Sequence, residues 1–316
     1  MSSEKQQSTL PLVSIITVSW NRKEDVSELV ESLLKQTYKK KEIIVVDNAS
    51  TDGTVEFLRK NYPNIRLIAL KRNCGLHGGF NIGVAIAKGD IIVGVDHDCV
   101  LEDEHTIDKV VKCFMENSRL GIVAFKVCSY FSKEISWDNP LHLPNGDSRQ
   151  GYPCIAYNGC GYAILKNVYV KAGGLDEQFF IYYGELDLTL RVIDMKYECR
   201  YFPEVVVLHK SSSPPTSSWY KKTIRRNWIW LTLKNFPLRE TVKLMRLPFK
   251  ALRKALNKND GRSYKFTNSR GNYMPLFLDL LIEVLLGLPQ ILKKRGPISC
   301  ETYTYYKIIA ANGVNN

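Results

Sequence analysis

The apolar run Ile91-Ile92-Val93-Gly94-Val95 ends directly on Asp96-His97-Asp98. A short run with no polar alternation fits a strand covered on both faces, which belongs in a sheet flanked by helices. Two carboxylates two residues apart then emerge at the strand's carboxyl end, where open α/β sheets place their ligands. Hard cations such as Mg²⁺ or Mn²⁺ take one or two protein carboxylates and complete their shell with water and substrate phosphates. Asp-x-Asp alone also describes a solvated turn, so its meaning depends on the rest of the chain.

The rest of the first part keeps one rhythm. Strands are expected over 12–20, 42–46, 65–70, 90–95 and 121–127, with helices over 21–36, 52–61, 79–88 and 104–117 between them. This alternation predicts an α/β fold with a mostly parallel central sheet and helices on both faces. Residues 130–152 lose the periodicity and carry Pro140, Pro144, Asn145-Gly146 and Gly151, the composition of a surface excursion of the kind that contacts substrate. Regularity returns at 156–165, and a helix over 185–196 and a strand over 204–208 ending at His209 are expected. The Ser/Pro stretch 210–218 reads as a boundary.

Composition narrows the class. With 45% hydrophobic residues in 316, the chain can bury a core. Its eight cysteines contain no Cys-x-x-Cys pair, which in an α/β pattern reads as reduced, buried thiols rather than a disulfide framework or zinc site. The polar start Met1–Thr9 lacks the apolar core of a secretory signal, so a cytoplasmic location is expected. Charge is unevenly placed: residues 211–316 hold nineteen Lys/Arg against five Asp/Glu, and residues 1–210 hold twenty-five against twenty-seven. The second part is therefore the one drawn to an anionic partner.

Gly75, Gly78, Gly79 and Gly83 suggest a dinucleotide loop but stand in the wrong turn. The first strand-to-helix turn, where a pyrophosphate would need glycine, is Ser19-Trp20-Asn21-Arg22. Hydride chemistry is set aside on that ground.

Four co-linear segments instead match one pattern: Val13 to Asn21, Val45 to Gly53, Asn73 to Gly83, and Asp96-His97-Asp98. They resemble the successive motifs of family 2 glycosyltransferases over about residues 12–236, and are most similar to the rhamnosyltransferase-like subgroup of surface polysaccharide assembly. The resemblance implies a GT-A fold, a nucleotide-sugar donor and a divalent cation, Mg²⁺ or Mn²⁺. It implies donor contacts from the first strand's end (Thr17, Ser19, Asn21), from Asp47, and from the loop carrying Asn73, Gly75 and Asn81. Asp96 would lie by the ribose, and Asp98 with His209 on the metal-diphosphate unit. His97 is expected to point back toward the sheet, and Asp52 to cap a helix.

Transfer of a sugar to a hydroxyl also needs a base. The segment Gly184-Glu185-Leu186-Asp187-Leu188 resembles the family's acidic motif with Gly184 in place of the first acid. Glu185 matches the usual base position, and Asp187 remains the alternative, although Asp187 and Arg191 are spaced as a helical ion pair. Three readings stay open: transfer to a saccharide or lipid-linked saccharide, transfer to a polyprenyl phosphate, and a nucleotide-sugar-binding scaffold without turnover, for which Gly184 is the support.

The expected layout is a disordered start over 1–11, a catalytic domain over 12–236 and a basic helical extension over 237–316. Residues 238–259 set Arg239, Lys243, Arg246, Lys250, Arg253, Lys254 and Lys258 on one face and Val242, Met245, Phe249, Leu252 and Leu256 on another, with Pro248 dividing the stretch. The apolar run 276–288 is interrupted by Asp279 and Glu283 and is too short to span a bilayer. An in-plane helix on the inner face of the cell membrane fits it, with packing on the catalytic domain or a homodimer contact as alternatives. No nucleic-acid module accompanies the charge, which excludes that partner.

Overall fold

The computed structural model describes residues 10–137, 148–210, 217–243 and 274–313. Residues 1–9 of the expected disordered start, the center of the 130–152 excursion and most of the stretch 238–259 lie outside the described residues. The chain forms two compact units, Met1–Pro214 with Tyr305–Asn316, and Pro215–Thr304.

In the first unit, β1 (Val13–Ser19), β2 (Lys41–Asp47), β3 (Arg66–Ala69) and β4 (Ile91–Val95) pair in parallel in the order β3-β2-β1-β4. They are joined by α1 (Lys23–Leu34), α2 (Thr54–Asn61) and α3 (Gly75–Ile86). There follow β5 (Cys99–Leu101), α4 (Thr106–Glu116), β6 (Leu120–Ser129), β7 (Ile135–Trp137), β8 (Tyr152–Pro153), β9 (Gly161–Leu165), α5 (Lys166–Lys171), α6 (Gly184–Asp194) and β10 (Glu198–His209).

Past β4 the sheet is mixed. β9 lies between β4 and β6 and is antiparallel to both, while β10 runs parallel to β6 and antiparallel to β5. Hydrophobic periodicity identifies a strand but not its direction, so the mostly parallel sheet expected from sequence holds for the first half only. β10 also begins earlier than expected; its register shifts between Phe202 and Val206, around Pro203, which has no N–H to give the ladder.

Strand alternation divides the core between the two faces. Ile15, Val45, Val93, Val123 and Val207 pack with Leu29 and Leu33 of α1 and Val110 of α4, whereas Ile16, Ile44, Ile92, Ala124 and Ile164 pack with Phe80 and Val84 of α3 and Leu188 and Val192 of α6. Each fully buried aliphatic side chain contributes about 1.5–3 kcal/mol relative to exposure, so both faces hold the strand ends rigidly in place. At Gly79 and Gly83 an added Cβ would come within 2.8 Å of Val18 and 2.6 Å of Ile16, which is why this glycine-rich segment is a helix packed on β1 rather than a phosphate loop.

In the second unit, α7 (Ser218–Asn235) starts on Ser217, whose Oγ accepts the Tyr220 N–H at 3.1 Å, and packs on α8 (Met274–Lys293). Glu283 accepts from Lys222 at 2.6 Å and Arg226 at 3.1 Å, and Trp230 Nε1 donates to the Val284 carbonyl. These contacts lie within the second unit. Pro289 lies inside α8 instead of ending it, because Ile291 is fully buried and Arg295 donates to the carbonyls of Leu233 and Phe236.

Candidate active site

The carboxyl end of β4 is the center of the site. Asp96 N–H meets the Cys160 carbonyl at 3.4 Å, and its carbonyl accepts the Cys99 N–H, so the chain turns sharply into β5. The β5–β10 ladder pairs Cys99 with His209, and Lys210 N–H donates to the Asp98 carbonyl. This pairing carries His209 Nε2 to 3.4 Å from Asp98 Oδ2, across more than a hundred residues of sequence. His97 turns its Nδ1 back to the Val18 carbonyl at 3.0 Å, as expected.

The electrostatics of the pair differ by environment. Burial, then the neighboring Asp98 charge, pushes the Asp96 carboxyl up to about 6, with Glu185 adding to the rise and His97 and His209 opposing it. Burial would raise Asp98 too, but the His209 hydrogen bond and the charges of His97 and His209 hold it below its ordinary value. Burial would lower His209, yet its bond to Asp98 and the adjacent Cys160 sulfur raise it to about 10. One acid is ionized and paired, and the other is short of positive charge.

Glu185 reaches the same place from α6. Both Glu185 and Asp96 line one narrow cavity with Val18, Phe80, Tyr162 and Leu175. A Cβ on Gly159 would sit 3.3 Å from Glu185 Oε1 and 3.7 Å from Asp96 Oδ2, so that glycine keeps the space between the two acids open. Phe180, Tyr182 and Tyr183 all adopt left-handed φ angles, 66°, 67° and 67°, an uncommon strain for bulky side chains that concentrates at functional sites. This strained run presents Glu185 in the first turn of α6. Its surroundings include Tyr157, stacked on Tyr162 with ring centers 4.2 Å apart and its hydroxyl buried without a partner among the described residues.

The strand ends beside β4 carry a second group. Thr17, Ser19 and Asp47 fall on one sheet face by strand alternation, and Ser19 is paired with Asp47 across β1 and β2. Thr17 Oγ1, Ser19 Oγ and Asp47 Oδ1 are buried with no hydrogen-bond partner among the described residues. Buried polar atoms are nearly always satisfied, so three such atoms together point to a ligand's donors and acceptors.

Other residues expected at the site are committed to holding it together. Asn21 accepts the Thr51 N–H at 2.8 Å, tying the β1 loop to the β2 loop. Asn73 Oδ1 accepts the Gly75 N–H, and Asn48 Nδ2 donates to the Gly75 carbonyl. Gly75 has φ +76° and passes within 2.6 Å of the Phe180 carbonyl at its Cβ position, a place for glycine alone. Asn81 donates to the Leu175 carbonyl and Glu177 Oε1 and accepts from Leu175 N–H and the Tyr169 hydroxyl, so its amide is filled by the protein rather than turned to a donor. Asp52 accepts from Thr54 N–H and Lys23 N–H and so binds the first residues of two helices, but the N-cap position expected of it is taken by Gly53.

Asp187 does not face the cleft. It is fully buried and paired with Arg191 at 2.6 Å, and Arg191 also donates to the Ala172 and Gly174 carbonyls. The helical spacing already contained this answer. Sequence reading missed His77, which has no exposed surface and lies 3.9 Å from Glu185 Oε1. A lone histidine in a glycine-rich helix gives no signal of that position.

Residues 14–169 match the model of Glycosyl transferase family 2. This segment is a family 2 glycosyltransferase domain. Among similar proteins, an uncharacterized glycosyltransferase of Haemophilus influenzae is 31% identical over 42% of this chain and 45% of its own length. The Escherichia coli UDP-Glc:alpha-D-GlcNAc-diphosphoundecaprenol beta-1,3-glucosyltransferase WfaP is 43% identical over 28% of this chain and 36% of its own. The chain thus spans about a third to a half of the length of these curated relatives. In structure it resembles the mannosyltransferase PcManGT of Pyrobaculum calidifontis, solved with GDP-Man and Mn²⁺, with TM-score 0.57 and 19% identity over 98% of this chain and 82% of the other. The likeness supports the GT-A fold for the family 2 domain and its helical extension.

The residues at the end of β4 suit a hard divalent cation. Asp98 is ionized and accessible at 18% of its side chain, Asp96 lacks a compensating charge, and His209 adds a nitrogen. Carboxylate with imidazole is a donor set for Mn²⁺ and, through the carboxylates, Mg²⁺.

Proposed function

We propose that this family 2 domain is a metal-dependent, inverting glycosyltransferase that moves a sugar from a nucleotide-sugar donor to a hydroxyl of a saccharide or lipid-linked saccharide. The observation that carries the reading is the position of Asp96, flanked by the Asp98–His209 pair and by Glu185 across the space that Gly159 leaves open. In this reading Thr17, Ser19 and Asp47 bind the nucleoside through their unpartnered atoms, with the Asn73–Gly75 turn beside them. Asp98 and, once it gives up its proton, His209 would hold Mg²⁺ or Mn²⁺, which would supply positive charge for the departing nucleoside diphosphate. Glu185 takes the acceptor proton as the hydroxyl oxygen bonds to the anomeric carbon. The carbon–oxygen bond to the diphosphate breaks on the opposite side, inverting the center.

A diphosphoundecaprenol-linked acceptor is part of the WfaP name and supports a lipid-linked acceptor here. A polyprenyl phosphate acceptor is already anionic and needs no base, so the base beside Asp96 favors a hydroxyl. The rhamnosyltransferase-like resemblance makes a deoxyhexose donor the first to try. The test is donor consumption and stereochemistry with paired hydroxyl and phosphate acceptors in the presence of Mn²⁺. Inverted product on the hydroxyl acceptor supports the reading, and tight nucleotide binding without turnover on any acceptor overturns it in favor of a scaffold.

A membrane surface as partner has support of its own. Ile282, Leu285, Leu286 and Leu292 of α8 are exposed at helical spacing, followed by the exposed Lys293 and Lys294. Among the described residues no helix is long and apolar enough to cross a membrane. An apolar stripe with cations beside it suits the interface of an anionic leaflet. Salt-sensitive cosedimentation with anionic vesicles, reduced by Leu285→Ser with Leu286→Ser, is the expected result; no binding at low salt overturns it.

A further inference from the structure

Two buried cysteines meet His209 behind the acidic turn. Cys99 begins β5 and is fully buried, Cys160 leads into β9 with 5% exposure, and one ligand atom from each of Cys99, Cys160 and His209 lies within 4.8 Å of the others. Asp98 closes the group, with Oδ1 4.0 Å from Cys99 Sγ and Oδ2 3.4 Å from His209 Nε2. The four residues come from four places in the chain: the β4–β5 turn, the start of β5, the lead-in to β9 and the end of β10.

We propose that Cys99, Cys160 and His209 form a site for a thiophilic divalent cation such as Zn²⁺, with Asp98 as its fourth ligand. Zn²⁺ bonds of about 2.0–2.3 Å at tetrahedral angles hold ligand atoms roughly 3.3–3.8 Å apart. The observed group therefore needs to close by about an ångström, a side-chain adjustment. Two thiolates, an imidazole and a carboxylate suit Zn²⁺ or Co²⁺ and not Mg²⁺, which requires oxygen. On binding, each thiol and the protonated His209 imidazole give a proton to solvent, and each sulfur and the imidazole nitrogen give an electron pair to the metal, with no change of oxidation state.

The site shares Asp98 and His209 with the proposed donor cation. A metal held by the two sulfurs draws both ligands toward β5 and away from the diphosphate, so Zn²⁺ inhibits by rearranging the site rather than by occupying it productively. This consequence rests on the transferase reading; the binding itself does not.

The test uses the reduced full-length chain and Co²⁺, whose thiolate charge-transfer absorption reports sulfur ligation. We expect the band to saturate at one equivalent, to be displaced by Zn²⁺, to vanish in Cys99→Ser and Cys160→Ser, and to persist in Cys154→Ser, a member of the other buried cysteine pair. Absence of the band, or its survival in the Cys99→Ser/Cys160→Ser double variant, overturns the site. Should the serine variants fail to fold, X-ray absorption of the wild-type Zn²⁺ complex decides: a shell with two sulfurs supports the site, and one of oxygen and nitrogen alone overturns it. Added Zn²⁺ is expected to suppress Mn²⁺-supported donor turnover. Unchanged turnover with the band present overturns the inhibitory role, whereas absence of turnover with every cation beside an intact band counts against the transferase reading and leaves the site standing.

Discussion

His77 and Glu185 stand 3.9 Å apart, and the histidine that approaches the candidate base is fully buried with both ring nitrogens lacking hydrogen-bond partners among the described residues. The His77 ring lies so close to Gly184 that any Cβ there would overlap it. Gly184 is thus the counterpart of His77, which removes the sequence argument for a domain that has lost turnover. Gly184→Ala is expected to destabilize the fold by about 1–3 kcal/mol, the usual cost of overpacking. Combining it with His77→Ala should recover part of that loss, and a denaturation double-mutant cycle measures the coupling. Strict additivity would refute it.

Glu185 and Asp187 should separate cleanly in the laboratory. Glu185→Gln is expected to reduce transfer by about 10²–10⁴-fold while nucleotide binding persists, the range for loss of a general base. Asp187→Asn removes the partner of a buried guanidinium and should cost about 3–5 kcal/mol of stability. Turnover kinetics and thermal melts distinguish the two, and a stable but inactive Asp187→Asn would return the base to that residue.

What the sequence showed and hid follows from range. Asp47, Asp96 and His209 end buried strands, and a run of β-branched residues followed by a polar one is a local signal. The Asp187–Arg191 pair was equally local. The start of α3 at Gly75 was hidden because Gly75-Leu76-His77-Gly78-Gly79 has poor helix propensity, and only the close approach of Phe180 and Val18 explains it. The antiparallel insertion of β9 was invisible for a similar reason, since direction is set by chain crossing rather than residue pattern. Cys99, Cys160 and His209 converge through β-ladder pairings that no spacing rule contains. Scattered cysteines pointed away from a metal.

Cation affinity should fall with pH on the acid side. The Asp96 carboxyl, held at about 6, is neutral below that pH in the metal-free protein, so a cation held beside it by Asp98 gains its negative charge only above that pH. Mn²⁺ binding measured by calorimetry in buffers of different ionization heat should show proton release near pH 6 and weaker affinity below it. The same shift sets the sign for stability: the folded state retains a proton the unfolded chain has lost between about pH 4 and 6, so this group costs stability as pH rises through that window. Asp96→Asn should therefore stabilize the metal-free protein at neutral pH, by up to about 3 kcal/mol. An unchanged or lower melting temperature would contradict the assignment.

Asp98 and His209 make the opposite case. His209, raised to about 10 by its bond to Asp98 and by the adjacent Cys160 sulfur against the effect of burial, contributes stability that is complete below its ordinary value near 6.5 and is lost as pH rises toward 10. Asp98→Asn keeps the shape of the contact but removes its negative charge, leaving burial opposed by the Cys160 sulfur alone. The His209 imidazole should then titrate below its wild-type value, and the alkaline loss of stability assigned to it should shrink. Imidazole resonances of wild type and Asp98→Asn, followed by NMR from pH 5 to 10, test this directly. A His209 titration that does not move would mean that another group holds its proton, and the pairing of β5 with β10 would no longer account for the charge at the metal position.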